Sequence, residues 1–217
     1  MRAARRAHQR PPSLTLPLKG GGNTPSFVAP FVATLFCIFF ATPALAHTGE
    51  TAGGFLAGLS HPVFGPDHVV AMLAVGLWGA FLGSPAIWLL PIVFPLVMAL
   101  GGVLGIIGVP LPLVETGIAT SAIVLGLMVA LAARPPLWVA ATLVGAFAIF
   151  HGHAHGAELP AGVDAVAYSL GFVIATGLLH LCGIAFGTLA AWPAGRIAVR
   201  TAGGAIALAG IAFLTLR

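Results

Sequence analysis

Charge is what this sequence has least of. Only 6% of its 217 residues are charged, 59% are hydrophobic, and the mean hydropathy is +1.07. Soluble domains carry roughly a quarter charged residues. The scarcity of charge excludes a soluble globular domain, and the apolar content excludes disorder. What is left is an all-α, polytopic membrane protein. Cysteine is nearly missing as well, with only Cys37 and Cys182. Cys37 falls in the leader described below, so the remaining chain has no internal disulfide, and Cys182 reads as a small buried apolar residue. Acidic residues are absent before Glu50, whereas five of the nine basic residues (Arg2, Arg5, Arg6, Arg10 and Lys19) crowd the first 19 positions. Beyond position 46, Arg134, Arg196, Arg200 and Arg217 stand against Glu50, Asp67, Glu115, Glu158 and Asp164, a net charge of −1. The isoelectric point of about 10.1 therefore describes the leader and gives no case for a nucleic-acid partner.

The beginning of the chain has the three parts of a secretory signal. Basic residues precede the apolar run FVAPFVATLFCIFFA at 27–41, and Ala44-Leu45-Ala46 forms a small-residue cleavage box before His47. The run is short for a spanning helix, which needs about 20 residues. Cleavage after Ala46 is expected. Residues 1–46 are then a signal peptide with an unusually long, disordered leader, and 47–217 form the mature domain.

Six apolar segments follow, at about 54–82, 87–109, 113–133, 137–155, 163–191 and 197–215. Gly83-Ser84-Pro85, Pro110-Leu111-Pro112, Arg134-Pro135-Pro136, Leu159-Pro160 and Trp192-Pro193 punctuate them. Backbone polar groups in lipid must be paired internally, so the segments are expected to be transmembrane helices. With the mature N-terminus outside the cytoplasmic membrane, Arg134, Arg196 and Arg200 fall inside, as the positive-inside rule asks. Trp78, Trp88, Trp138 and Trp192 all fall at the same cytoplasmic ends, where an aromatic belt is expected. Gly101, Gly102 and Gly105, and the Gly203-Gly204 pair, suit close helix packing.

Against this background the ionisable side chains stand out, because such groups are costly in a spanning segment. The first segment contains His61, Asp67 and His68 around two prolines and Gly65. Broken helices are tolerated beside a cavity, where they expose backbone groups to a substrate. The fourth segment ends in His151, His153, His155 and Glu158. His151, His155 and Glu158 share one helical stripe, while His153 lies about 160° away, placed to capture ions from solvent. Imidazoles with a carboxylate suit nickel, cobalt, zinc or copper. His180 lies mid-helix in the fifth segment, and His47, Glu50 and Glu115 fall near the outer surface. Together these residues outline a descending cation path, from His47 to His151, His155 and Glu158, then to His61, Asp67 and His68, then to His180. His61, Asp67, His68, His151, His155, Glu158 and His180 are the expected metal ligands, with His47, Glu50 and His153 as outer capture groups.

At these residues the chain resembles the HupE/UreJ family of nickel permeases. The likeness is carried by His61-Pro-x-x-Gly65-x-Asp67-His68, with Met72, Val75 and Gly76-Leu77-Trp78 following, and by Phe150-His151-Gly152-x-Ala154-His155-Gly156-x-Glu158. The stretch from Ala175-Thr176 to His180 is similar to the family's fifth span. The resemblance implies uptake of divalent nickel, with cobalt as a second candidate, across a bacterial inner membrane to supply hydrogenase or urease. The metal ion is then the substrate, no cofactor is expected, and the oligomeric state stays open. Without a Gly-x-x-x-x-Gly-Lys-Ser/Thr motif there is no internal ATPase, so a secondary permease or facilitated channel is expected. The competing reading is an intramembrane zinc-dependent hydrolase built on His61, Asp67, His68 and His180 with Ser60 nearby. The absence of His-Glu-x-x-His weighs against it.

Overall fold

The computed structural model describes residues 50–159 and 161–216. The expected signal peptide, Cys37 and His47 lie outside these residues. Among the described residues seven α-helices follow in order: α1 (Glu50–Phe64), α2 (Pro66–Leu82), α3 (Ala86–Ile106), α4 (Val114–Ala130), α5 (Leu137–Ala157), α6 (Ala165–Gly187) and α7 (Pro193–Thr215). A short 3-10 turn, Thr188–Ala191, extends α6. No strand occurs among the described residues.

The segment at 54–82, expected as one span interrupted among its prolines and Gly65, is two helices. Pro66 has no backbone N–H to donate, so it opens a new helix at its first position, and Gly65 absorbs the break. The two halves are bent by 80°. Helices α3, α5, α6 with its 3-10 extension, and α7 are long and apolar enough to cross a membrane, making four such spans, or five if the bent pair counts as one. Helix α4 is shorter at 17 residues, which at 1.5 Å per residue spans about 26 Å.

Glycine decides which helices touch. Gly152 and Gly156 of α5 lie so close to Met98 and Gly102 of α3 that a Cβ on either would strike the facing carbonyl. Gly101 and Gly105 return the contact against Ile149 and His153. Gly76 on α2 and Gly183 on α6 meet in the same way, as do Gly58 on α1 and Gly171 on α6. Small residues of this kind allow backbones to approach where lipid supplies no hydrophobic drive to associate. The register shows α3 parallel to α5, α6 parallel to both halves of the bent segment, and α4 antiparallel to α7 through Gly126 and Gly203. Gly204, paired with Gly203 in the sequence reading, faces open space. Large apolar side chains such as Leu96, Leu100, Val166 and Leu170 point outward.

Two expectations change here. Trp78 is not part of an interfacial belt: it is fully buried and donates Nε1–H to the Ala133 carbonyl at 3.0 Å, tying α2 to the end of α4. Trp88, Trp138 and Trp192 are exposed, as a belt requires. Cys182 is half-buried rather than buried, because its face of α6 is only partly covered.

Candidate metal site

The break at Gly65 gives Asp67 its position. Asp67 lies in the first turn of α2, where unpaired N–H groups and the helix dipole favour a negative charge. Its Oδ1 accepts both the backbone N–H of His68, at 3.0 Å, and the ring Nδ1–H of His68, at 2.8 Å. The proton on Nδ1 leaves Nε2 as a bare lone pair, and that atom is buried without a partner. A carboxylate holding one nitrogen of an imidazole is the usual device that orients the other toward a metal. Asp67 therefore acts on the site through His68.

The two histidine-bearing stretches meet. The His68 ring lies 4.4 Å from that of His155 and 4.9 Å from that of His151. His61 lies 4.8 Å from His155, edge to face. His61 Nε2 is 3.6 Å from a Glu158 carboxylate oxygen. One ligand atom each from His61, His155 and Glu158 falls within 4.8 Å of the other two, a spacing that admits a single ion. The 80° bend, rather than a continuous helical face, is what lets His61 and His68 both reach His155.

The residues grade from wet to dry. Glu158 and His61 have side chains 55% and 38% exposed. His155 and His68 are buried, and His151 is fully so. An open cavity of about 510 Å³ is lined by His61, Asp67, His68, Glu115, Glu158 and Tyr168. A smaller one of about 180 Å³ reaches His155 between α3, α5 and α6. Both His155 nitrogens are buried without partners, and its ring packs 4.0 Å from that of Phe172.

His180 is buried, with no well-formed hydrogen bond at either nitrogen, yet it does not join the cluster directly. The Phe94 ring stands between, 5.4 Å from His151 and 5.3 Å from His180. The Pro91 carbonyl, which loses its helical donor because residue 95 is also proline, faces His180. The chain of rings thus runs His61, His155, His68, His151, Phe94, His180. The two motifs interleave along it instead of stacking one above the other.

His153 is placed differently from its expected outer capture position. It is buried and donates Nε2–H to the Val109 carbonyl at 2.7 Å, tethering the end of α5 to the loop after α3. Glu50 opens α1, and its side chain is not among those described. Glu115 lines the larger cavity.

Sequence reasoning passed over Ser121, Phe94, Tyr168 and Phe172. Ser121 is fully buried and hydrogen-bonds His151 Nε2 at 2.9 Å. A hydroxyl inside an apolar helix was the available signal. Tyr168, the chain's one tyrosine, lines both cavities. The aromatic rings carried no signal that separated them from ordinary packing. At the opposite end of α5 from Glu158, Arg134 stacks 4.7 Å over Phe81, and Arg200 Nε–H donates to the Ala130 carbonyl at 2.7 Å.

A family model described as "HupE / UreJ protein" matches residues 35–213. A curated relative, "Protein HupE" of Rhizobium leguminosarum bv. viciae, is 50% identical over 181 residues, covering 83% of this chain and 95% of that protein. No solved structure matches.

Proposed function

Because the chain belongs to the HupE/UreJ family, whose members are permease-type transporters and not enzymes, we propose that it carries divalent nickel into the cell and that cobalt competes for the same path. Nickel or cobalt transport in hydrogenase or urease maturation is the role that the family brings with it. The zinc-hydrolase alternative has no support from family or fold.

The observation that carries the proposal is the continuity of the ring chain from the half-exposed His61 and Glu158 to the fully buried His151. Imidazole nitrogens and a carboxylate replace the hydration shell of a borderline dication step by step. His61, His155 and Glu158 receive it; His68, oriented by Asp67, and His151 take it inward; His180 lies beyond Phe94. An inside-negative potential supplies about 2.3 kcal/mol per charge per 100 mV, hence about 4.6 for a dication, which is ample without ATP.

The helix directions support six crossings in the inner membrane. Parallel α3 and α5, parallel α6 and bent segment, and antiparallel α4 and α7 are what six alternating spans require. Arg134 and Arg200 gather at the end opposite Glu158, which fits a cytoplasmic face there and a periplasmic mature N-terminus. The test is metal accumulation in cells expressing the chain, with nickel, cobalt and zinc in competition. Nickel accumulation reduced by cobalt is expected; accumulation equal to that of empty cells overturns the proposal.

A further inference from the structure

Ser121 lies on α4, outside both histidine motifs in the sequence, and is fully buried. Its hydroxyl proton is committed: Oγ–H donates to the Ile118 carbonyl one turn back, at 2.6 Å. A serine has a single proton to give. The 2.9 Å contact with His151 Nε2 is therefore one in which the ring donates and Ser121 Oγ accepts. A neutral imidazole with its proton on Nε2 has none on Nδ1, and His151 Nδ1 is buried with no partner.

We propose that Ser121 is a positioning residue for ion transfer, fixing His151, whose ring lies 4.9 Å from that of His68, in the tautomer that keeps Nδ1 as a bare lone pair. The inference rests on the cation-transport reading and extends it to α4. It gives the two buried histidines opposite tautomers, since His68 is protonated on Nδ1 by its bond to Asp67. It also makes them unequal donors. A carboxylate raises the basicity of the imidazole it holds, whereas a neutral hydroxyl does so weakly. His68 is then the stronger ligand and His151 the weaker one, as an ion that must leave a site requires.

The experiment pairs transport with spectroscopy on the full chain. Nickel uptake is measured for wild type, Ser121→Ala and Ser121→Thr, normalised to protein in the membrane. Imidazole nitrogen NMR of the purified, metal-free protein reads the tautomers. Loss of an outer-sphere partner costs about 10- to 100-fold in metal affinity. Ser121→Ala is expected to raise the apparent KM for nickel by about that factor and to lose one Nε2-protonated signal. Ser121→Thr, which keeps the hydroxyl, restores both. An unchanged KM in Ser121→Ala, or an unchanged histidine spectrum, overturns the proposal. If Ser121→Ala does not reach the membrane, the wild-type spectrum decides: His151, assigned by its loss in His151→Gln, must carry its proton on Nε2. Failure of the wild type to take up nickel falls on the transport reading instead, while the spectra still report the tautomer.

Discussion

The rings of His68 and His155 lie 4.4 Å apart, although one sits at the start of α2 and the other near the end of α5. His155 also lies 4.8 Å from His61, so it is the residue at which both motifs converge. His155→Ala is expected to reduce nickel uptake to background with protein in the membrane unchanged. His153→Gln is expected to leave the apparent KM unchanged, because His153 is a tether to Val109 outside the ring chain. Uptake kinetics normalised to membrane protein check both.

Asp67 is expected to act through orientation as well as charge. Asp67→Asn retains an oxygen that can accept from His68 Nδ1–H, and Asp67→Ala retains none. Both variants lose nickel affinity, the alanine by about 10- to 100-fold and the asparagine by less. Equal losses measured by uptake across nickel concentrations would count against the orienting role.

Protonation competes with the metal for the same lone pairs. An ordinary histidine titrates near 6.5, and its protonated form offers no ligand atom and repels a cation. The apparent KM for nickel is therefore expected to rise as the outside pH falls from neutral through the acidic range. Initial rates over that range at fixed membrane potential check the sign.

Helix contacts give a prediction independent of metal. Gly152→Ala drives a Cβ into the Met98 carbonyl, whereas Gly177→Ala and Gly204→Ala meet nothing within 4 Å. Overpacking typically costs about 1–3 kcal/mol. Thermal unfolding in detergent is expected to show Gly152→Ala destabilised by about this amount and the other two near wild type.

Much of the fold was legible because the bilayer restricts the choices. Helical segments bounded by Gly83, Pro110, Pro135 and Trp192-Pro193 follow from apolar length and breakers alone. The ionisable residues were legible for the same reason, since lipid makes each one conspicuous. What the sequence did not yield was mutual placement. A Pro66 helix start does not specify an 80° bend, so the shared reach of His61 and His68 to His155 could not be read from their spacing. His153 looked exposed because its partner, the Val109 carbonyl, is a backbone group on another segment. Trp78 looked interfacial for the same reason, its partner being the Ala133 carbonyl. Ser121 and Phe94 entered only through neighbours that are distant in the chain.

The most direct measurement uses purified chain in sealed vesicles with an imposed inside-negative potential, radioactive nickel outside and no nucleotide present. Nickel should accumulate inside wild-type vesicles, stop when the potential is collapsed, and fail to enter vesicles carrying His155→Ala. Nickel entering no faster than in protein-free vesicles, or entering equally well through His155→Ala, would contradict an ion path built on the joined histidine clusters.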